Sequence, residues 1–313
     1  MIKRTLYFGN PAYLHLKNKQ LVVRLPEVEK NDMLPVSFKK EATATIPVED
    51  IGVMIIDHGQ VTFTQGLMAA LLDNNTAVVI CDQSHLPNGL LLPLSGNTLQ
   101  SERFADQINA SVPLKKQVWQ QTITAKIENQ AALLKKAGCD NNKLLVFARN
   151  VKSGDTDNVE GRASYYYWNN LFPESLNFSR KRDGDPPNNL LNYGYAIVRA
   201  IVARSLVGSG LLPTLGIHHH NRYNAYCLAD DIMEPYRPFV DEIVLDITHK
   251  TRDYKELTTD LKKTLLGIST VDVLMDAEKS PLTVAAQRTA SSLVKCYEGS
   301  ARKIIFPEFV PEK

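Results

Sequence analysis

The sequence predicts an α+β fold, with a small β-rich domain at residues 1–95 and a larger all-α domain at residues 96–313. Two observations support this division. Before residue 96, β-branched and aromatic residues gather in short runs separated by turn residues, which is typical of strands. After Gly96, apolar residues recur every three or four positions over long stretches, which is typical of helices. We place the boundary at Pro93–Asn97, where both patterns are interrupted.

The N-terminal domain is predicted to consist of short strands and a short helix. The strands cover residues 5–8, 12–16, 20–25, 51–57, 61–63, 77–81 and 90–94. The helix covers residues 65–73 and ends at Asn74 and Asn75, which favour turns. The Pro87-Asn88-Gly89 sequence predicts a further turn, because each of its residues suits a tight bend.

The C-terminal domain is predicted to be helical. Its helices cover residues 99–110, 114–137, 163–171, 190–207, 226–234, 239–247, 251–264 and 281–298. Asn224 is a plausible N-cap for the helix at 226–234, since Asn is favoured there. Residues 180–189 form a polar loop rich in turn residues, and the two prolines of residues 234–238 predict a kink.

Composition excludes several classes of protein. Lys and Arg number 36 against 34 Asp and Glu, a net charge of +2, so any nucleic-acid site must be a local patch. The four cysteines are widely spaced and form no C-x-x-C pair, so we expect neither a structural zinc site nor disulfides. Cysteines without disulfides are typical of the reducing cytoplasm, where we expect this protein to be located. We expect no signal peptide and no membrane, because no apolar stretch reaches about 18 residues.

The most informative segment joins histidines to acids. Three consecutive histidines, His218, His219 and His220, precede a helix that carries Asp230, Asp231 and Glu234. Acids three or four residues apart share a helix face and repel unless a cation lies between them. A hard divalent ion, Mg²⁺ or Mn²⁺, bound by carboxylates and one imidazole would remove that repulsion. A solvated acidic face and structural histidines are the alternative.

Other polar residues allow two interpretations each. Glu160 opens an aromatic-rich helix, where it is either a favourable charge at the helix N-terminus or a carboxylate ligand from a second element. Basic and amide side chains near these segments suit phosphate binding, although each is also ordinary surface polarity. They are Arg162, Arg180, Lys181, Arg182, Asn221 and Arg222.

Four segments together resemble one known family. They are Asn-Val-Glu-Gly-Arg-Ala at 158–163, a helix at 190–204 containing Asn-Tyr-Gly-Tyr, Gly-Ile-His-His at 216–219, and Ala-Asp-Asp-Ile-Met-Glu-Pro-Tyr-Arg-Pro at 229–238. In this order they resemble the integrase subunit of the CRISPR spacer-acquisition machinery, most closely its type II branch. The resemblance covers essentially the whole chain, and the family's two domains agree with the predicted fold.

The resemblance implies a site and a cofactor. In the family, a Glu, a His and an acidic residue in these motifs coordinate a divalent metal, Mg²⁺ or Mn²⁺. Carried over residue by residue, the metal ligands and catalytic residues are Glu160, His219 and Glu234. His218 or His220 replaces His219 if the loop register shifts, and Asp231 is a possible supporting or second ligand.

The resemblance also implies an activity and partners. The 3′-hydroxyl of a short foreign DNA fragment, the protospacer, attacks a phosphodiester at the leader-proximal repeat of the CRISPR array, and the protein has endonuclease activity as well. Both substrates are double-stranded DNA. Family members form homodimers through the β domain, which makes residues 6–8, 22–25 and 53–56 interface candidates, although core packing also explains them. The dimers flank a small ferredoxin-like partner in a hetero-hexamer.

Three other functions are compatible with the same residues. A stand-alone metal-dependent nuclease on branched or single-stranded DNA would use the same ligands with water as the nucleophile. A non-catalytic DNA-binding scaffold would carry these acids and histidines on its surface. A mononuclear zinc hydrolase is disfavoured, because the chain has no H-E-x-x-H motif and carboxylates predominate near the histidines.

Overall fold

The computed structural model describes residues 3–31, 33–35, 37, 39, 42–83, 85–181, 183–251 and 253–311. The chain divides into two compact units, Met1–Gly96 and Asn97–Lys313. The first consists mainly of strands and the second mainly of helices, so the predicted α+β class is confirmed.

Two four-stranded sheets form the N-terminal unit. Its strands are β1 Arg4–Phe8, β2 Ala12–Lys17, β3 Gln20–Arg24, β4 Ala44–Pro47, β5 Ile51–Ile56, β6 Val61–Phe63, β7 Ala77–Cys81 and β8 Pro87–Leu91. The helices with described bounds in this unit are α1 Pro26–Glu29 and α2 Gln65–Asp73. One sheet has the order β1-β5-β7-β8, with β8 antiparallel to β7, and the other has the order β4-β3-β2-β6, with β6 parallel to β2.

Strand β5 lies at the centre of the N-terminal core. All six of its residues are buried, and Ile51 and Met54 pack with Leu14 of β2 and Leu67 of α2. A strand buried on both faces is expected to be apolar throughout, as this one is. Residues 53–56 therefore serve the core, which corrects their place among the dimer-interface candidates.

The C-terminal unit is built from helices and one hairpin. The helices are α3 Gln100–Asn109, α4 Val112–Lys136, α5 Asn142–Arg149, α6 Val159–Leu171, α7 Asn188–Gly208, α8 Cys227–Met233, α9 Arg237–Lys250, α10 Thr259–Leu266 and α11 Leu282–Tyr297. A 3₁₀ turn, Glu234–Tyr236, joins α8 to α9 at the predicted kink. Strands β9 Asp272–Met275 and β10 Glu278–Pro281 pair antiparallel.

Helix α7 is the central helix of this unit. By length and composition it is apolar enough to cross a membrane, but 78% of its most apolar window is buried inside the structure. Gly194 lets α9 approach α7 closely, because a Cβ at this position would collide with the Val240 side chain. Helices α5, α6 and α9 pack against α4, as does the Glu234–Tyr236 turn. Helix α4 thus brings together the elements that carry the predicted ligands.

The structure departs from the predicted elements at particular positions. The β9–β10 hairpin was not predicted, because Asp276 and Ala277 adopt positive φ angles of 49° and 66° without a glycine signal. Pro87-Asn88-Gly89 lies within β8, since Pro is tolerated at the first residue of an edge strand. The helix predicted from residue 251 begins at Thr259, where the Thr258 side chain caps the Leu261 amide.

Candidate active site

Two carboxylates from different elements meet at one ammonium group. Lys126, in the middle of α4, places its Nζ 2.5 Å from Oε1 of Glu160 and 2.6 Å from Oε2 of Glu234. The Lys126 and Glu234 side chains are each only 9% exposed. The structure therefore brings together the two acids that the sequence selects, through a cation that sequence analysis did not identify.

The start of α6 directs Glu160 towards Lys126. Asp155 accepts hydrogen bonds from the amides of Val159 and Glu160, at 2.8 and 3.0 Å. Asn158, with a φ of 49°, accepts another from the Gly161 amide. These neighbours satisfy amides that a helix N-terminus leaves free. The Glu160 side chain is then available for Lys126, and it also accepts a hydrogen bond from Ser164 Oγ at 3.0 Å.

Glu234 is held between two cations. It opens the 3₁₀ turn, and Arg237 Nε donates to its Oε1 at 2.8 Å while Lys126 lies at its other oxygen. Burial would raise the pKa of the Glu234 carboxyl, but Arg237 and Lys126 outweigh burial and lower this pKa to about 2. Glu234 is therefore ionised at neutral pH.

Glu160 and Lys126 are also held in their charged forms. Burial opposes ionisation of Glu160, but Lys126 lowers the pKa of its carboxyl below the ordinary value. Burial also opposes protonation of Lys126, and the charges of Glu234 and Glu160 together raise its pKa. The cluster is a fully charged pair of acids around one cation, buried at Lys126 and Glu234 and partly exposed at Glu160.

A cavity of about 190 Å³ opens beside this cluster. It is lined by Lys126, Gln130, Glu160, Ser164, Trp168, Arg180, Tyr195, Glu234, Arg237 and Asp241. Gln130 is 3% exposed, and its Oε1 has no hydrogen-bond partner among the described residues. A buried acceptor without a partner is costly, so its presence in the lining suggests that a donor or cation enters the cavity.

Tyr195 also lines this cavity. Its hydroxyl donates to Asp241 at 2.5 Å, and Tyr167 donates to the same carboxylate at 2.8 Å. The guanidinium groups of Arg237 and Arg180 lie 4.5 and 5.3 Å from the Tyr195 ring centroid. Burial raises the pKa of the Asp241 carboxyl to about 6. This arrangement fixes two guanidinium groups beside the acids.

Asp231 organises the histidine loop. It is fully buried and accepts hydrogen bonds from the amides of Ile217 at 2.6 Å and His218 at 2.9 Å, and a longer one from His219 at 3.3 Å. Its Oδ1 also lies 2.5 Å from Nδ1 of His219. Gly216 is required here, because a Cβ would collide with the carbonyl oxygen of His219.

His219 is consequently held through one ring nitrogen. The hydrogen bond to Asp231 raises the pKa of the His219 imidazole, against the opposing effect of burial. With Nδ1 donating to the carboxylate, Nε2 is the nitrogen that could bind a metal. Asp231 itself has both oxygens engaged by the loop.

The histidine loop packs on Trp119, away from Lys126. The His218 ring stacks on Trp119 with centroids 4.2 Å apart, and the His219 ring meets Trp119 edge-on at 5.7 Å. Trp119 precedes Lys126 by two turns of α4, about 10 Å along the axis. Within the described part of the chain, no three His, Cys, Asp or Glu side chains are grouped closely enough to hold a metal. His219 therefore lies apart from the pair formed by Glu160 and Glu234, and His220 is exposed.

The acids of α8 and the following turn do not share one cation, which corrects that expectation. Asp230 pairs with Arg199 at 2.6 Å and Asn224 at 2.7 Å, whereas Asp231 holds the histidine loop and Glu234 binds Lys126 and Arg237. Asn224 was predicted to be the N-cap of this helix. It instead donates to Asp230, and the N-cap position is Tyr226. The repulsion between these acids is thus relieved because each acid has its own hydrogen-bond or ion-pair partners.

The predicted phosphate-binding residues have different surroundings. Arg180 lines the cavity and donates to Asn188 and Asn192, both at 2.8 Å. Arg162 is exposed over the Phe147 ring, and Arg222 is exposed over Tyr223. Lys181 and Asn221 are exposed, and Arg182 lies outside the described residues.

A second, open cavity of about 470 Å³ lies between α5 and α6, and Gly161 is part of its lining. Its lining includes Lys143, Arg162 and the ring of Tyr165, which is 75% exposed. Lys143 Nζ lies 5.0 Å from the Tyr166 ring centroid. An exposed aromatic ring among basic side chains is suited to stacking with a nucleobase.

The acids and Gln130 fit a divalent cation by the chemistry of their donors. Two carboxylates converge on one cation, and an unpartnered amide oxygen opens on the same cavity. Hard oxygen donors of this kind suit Mg²⁺ and Mn²⁺. The Lys126 ammonium holds the position between the two carboxylates.

Lys126 and Gln130 were not predicted as site residues, although the chain carries a signal for them. In α4, Lys126, Asn129 and Gln130 lie at helical spacing among the apolar positions Ile123 and Ile127, and all are buried. Polar residues in a buried helical stripe need partners, and are candidates for a site for that reason.

Comparison with known proteins identifies close relatives of the whole chain. The family model "CRISPR associated protein Cas1" matches residues 7–277. A curated relative, "CRISPR-associated endonuclease Cas1" of Neisseria meningitidis serogroup C (strain 8013), is 33% identical over 316 residues, covering 100% of this chain and 98% of its own length.

Solved structures share the fold. A casposase bound to integration product superposes with a TM-score of 0.75 and 20% identity, covering 97% of this chain and 92% of the casposase. A Cas1 protein from Thermotoga maritima gives 0.72 and 15% identity, with 99% and 100% coverage. A chain of a Cas6-RT-Cas1–Cas2 complex gives 0.70 and 20% identity, with 96% of this chain covered and 36% of the other.

Proposed function

We propose that this chain, which belongs to the Cas1 family of CRISPR-associated proteins, is a metal-dependent DNA integrase of CRISPR adaptation with endonuclease activity. It would insert short foreign double-stranded DNA fragments into the CRISPR array at the leader-proximal repeat. The observation that carries the proposal is the meeting of Glu160 and Glu234 at one cation, in a cavity that Arg180 and Arg237 also line.

The comparisons support this class of reaction. The Neisseria relative is named an endonuclease, and the structural neighbour with a TM-score of 0.75 is a casposase bound to its integration product. Cutting and joining of DNA both require attack on a phosphodiester phosphorus, so one site can serve both. The nucleophile is water in the first reaction and a DNA 3′-hydroxyl in the second.

Integration conserves the number of phosphodiester bonds. The 3′-oxygen of the incoming fragment forms a new P–O bond as the P–O3′ bond of the repeat breaks, and the proton of the attacking hydroxyl is transferred to the released 3′-oxygen through solvent. The chain therefore needs no Ser or Tyr nucleophile. Its cationic side chains would stabilise the negative charge that grows on the phosphate oxygens.

The proposed metal ligands are Glu160 and Glu234, with His219 as the third once its side chain moves from Trp119 towards the acids. Mg²⁺ or Mn²⁺ held by them would supply Lewis-acid stabilisation of the reacting phosphate. The histidine would contribute Nε2, because Asp231 holds Nδ1. Asp231 is thus a positioning residue, and His218 supports the loop by stacking on Trp119.

DNA binding is assigned to the cavity and its rim. Arg180 and Arg237 lie over the Tyr195 ring beside the acids, and both would contact the reacting strand. Arg162, Lys181, Arg182, Asn221 and Arg222 are proposed to bind phosphates further along the strands. Since the net charge is only +2, these contacts form a local track.

The proposed assembly is a homodimer that joins a small ferredoxin-like partner in a hetero-hexamer in the cytoplasm. The superposition on a chain of a Cas6-RT-Cas1–Cas2 complex supports a Cas2-type partner. Dimerisation is assigned to the N-terminal unit, whose exposed apolar side chains include Leu25 and Phe63.

An integration assay tests the function. A labelled duplex with 3′-hydroxyl ends is incubated with a supercoiled plasmid carrying a repeat, with the small partner and Mg²⁺ or Mn²⁺. We expect joined product with the natural chain, and a loss of about 100-fold or more with Glu160→Gln or Glu234→Gln, since both acids act in the transition state. EDTA should abolish joining.

A matched control and the other functions give distinct results. Glu278→Gln changes a Glu whose side chain is 81% exposed and should integrate normally. Metal-dependent cutting without joining, with the partner present, would identify a stand-alone nuclease. Binding without any metal-dependent reaction would identify a non-catalytic scaffold, and either result would contradict the proposal.

A further inference from the structure

We propose that Lys126 is a resident counter-ion that competes with the divalent metal for Glu160 and Glu234, so that the site binds metal weakly until DNA enters. This inference rests on the proposed function, because it concerns how the same site is loaded. Lys126, which the sequence motifs do not indicate, would thereby control metal binding.

The first observation is that the ammonium lies where a shared cation must be. Lys126 Nζ contacts one oxygen of each carboxylate, at 2.5 and 2.6 Å, and the side chain is 9% exposed. A metal bound by both acids needs the same oxygens. Two cations cannot occupy one position, because their repulsion in a poorly hydrated site is large. Metal binding by this pair therefore requires the ammonium to leave.

The second observation is that the acids depend unequally on Lys126. Glu234 also has Arg237 at 2.8 Å, whereas the Glu160 carboxylate accepts a hydrogen bond from the neutral Ser164 hydroxyl at 3.0 Å. Removing Lys126 would leave Glu160 without its nearest cation beside an ionised Glu234. A second cation would then be strongly favoured at this position.

The third observation is an acceptor for the displaced ammonium. Gln130 follows Lys126 by one turn of α4, on the same cavity, and its buried Oε1 has no hydrogen-bond partner among the described residues. Side chains four residues apart on a helix are neighbours. A lysine side chain is long and flexible enough to turn from the carboxylates to this oxygen while its backbone stays in place.

Charge then couples metal binding to DNA binding. Lys126, Arg180 and Arg237 face an equal number of acids, Glu160, Glu234 and Asp241, in the cavity lining. A divalent cation adds two positive charges to this balanced set, and a phosphodiester, with one negative charge, offsets part of that excess. Each ligand should therefore strengthen the binding of the other, because coupling between two sites is reciprocal.

Direct metal titration tests the inference. Free Mn²⁺ is measured by electron paramagnetic resonance with the full-length protein, with and without a duplex whose 3′ ends lack hydroxyls, so that no joining occurs. Lys126→Met should bind Mn²⁺ at least about tenfold more tightly than the natural chain without DNA, because a nearby like charge is removed. Lys126→Arg should stay weak. The duplex should tighten binding more for the natural chain than for Lys126→Met.

Lys136→Met is the matched control. Lys136 lies on the same helix and pairs with Glu242 at 2.5 Å, but its side chain is 43% exposed. This variant should bind Mn²⁺ like the natural chain. A general effect of removing one lysine charge from α4 would instead appear in both variants and would overturn the inference.

A second test uses only the natural chain, so it does not require the Lys126→Met variant to fold. Acetic anhydride labelling followed by mass spectrometry reports how free each lysine amine is. Acetylation of Lys126 should rise at least about threefold when Mn²⁺ is added at saturation, since the ion pair that protects it is broken. Acetylation of Lys136 should not change.

The outcomes separate the inference from the proposed function. Measurable Mn²⁺ binding that is equal in the natural chain and Lys126→Met, with unchanged Lys126 labelling, overturns the inference alone. Absence of Mn²⁺ binding in both proteins, with and without duplex, overturns both. Tighter binding by Lys126→Met together with failed integration by the natural chain supports the inference and overturns the proposed function.

Discussion

Asp231 shows how a single side chain can fix the geometry of a loop. Its two oxygens face the amides of three successive residues, Ile217, His218 and His219, as well as the ring nitrogen of His219. An asparagine cannot accept all of these bonds, because one of its two terminal atoms is a donor. The orientation of His219 thus depends on a side chain with two acceptor oxygens.

We predict that Asp231→Asn lowers integration by about 10- to 100-fold, the usual cost of losing a carboxylate that orients a ligand histidine. The pKa of His219 should fall, because the hydrogen bond to Asp231 raises it in the natural chain. NMR titration of the His219 ring measures this pKa. Asp230→Asn removes a charge that acts on His219 without a hydrogen bond, and should lower the His219 pKa much less than Asp231→Asn does. An unchanged His219 pKa in Asp231→Asn would contradict the assigned role.

Asp241 makes stability depend on pH in a defined direction. Burial raises its pKa from the ordinary 3.8 to about 6. Between these values the folded state retains a proton that the unfolded state has lost. Stability from this group is complete below the unfolded pKa and is lost as the pH rises through the folded pKa.

We therefore predict that Asp241→Asn gains stability relative to the natural chain between pH 4 and 6. The gain should be about 3 kcal/mol, from roughly two pKa units at 1.36 kcal/mol each. Urea denaturation at several pH values, read by circular dichroism, measures the difference in unfolding free energy. Parallel stability curves across this interval would show that Asp241 titrates near its ordinary pKa.

Among the elements, helix α6 separates two kinds of chemistry on its faces. Glu160 and Ser164 face the cavity at Lys126, whereas Arg162 and Tyr165 line the open cavity beside α5. Tyr167 is fully buried. The aromatic run that the sequence presents as one feature is therefore divided between core and surface by helical periodicity.

Tyr165 is predicted to stack on a base of the bound strand. Tyr165→Ala should weaken binding of DNA with single-stranded ends by about fivefold to a hundredfold, since stacking contributes about 1–3 kcal/mol per base. Tyr165→Phe keeps the ring and should bind normally. Fluorescence anisotropy with fully paired and single-strand-ended duplexes measures the effect. Equal weakening by the Phe variant would assign the contribution to the hydroxyl and contradict stacking.

The sequence is informative about elements where local signals decide the conformation. Helix α2 lies at the predicted residues 65–73, because Thr64 caps it and a turn follows. The β9–β10 hairpin carries no such signal: Asp276 and Ala277 are held at positive φ by the pairing of the strands on either side. Tertiary packing decides the structure at such positions.

The candidate site shows the same limit. Glu160 and Glu234 could be selected from motifs, yet the cation between them comes from α4, 34 residues before Glu160. A buried lysine pairs with whatever the fold places near it, and periodicity alone does not identify that partner. The packing of His219 against Trp119 likewise depends on tertiary structure that no short motif encodes.

At the scale of the whole molecule, we assign different functions to the two units of the chain. The described site residues all belong to Asn97–Lys313, and the side chains to which we assign dimerisation belong to Met1–Gly96, including Phe63 at 40% and Leu25 at 43% exposure. Exposed apolar side chains on a small sheet unit are suited to an interface with another chain. The proposed homodimer is consistent with this placement.

We predict that Phe63→Asp combined with Leu25→Asp shifts the protein from dimer to monomer, because a charge buried at an apolar interface is destabilising. Light scattering coupled to size-exclusion chromatography measures the mass over a range of concentrations. Tyr223→Asp places the same charge on a side chain of the C-terminal unit that is 81% exposed, and should remain dimeric. The monomeric variant should retain Mn²⁺ binding, because the site residues lie in the other unit, but should lose paired insertion at the two ends of the repeat. A double variant that remains dimeric would place the interface elsewhere on the chain.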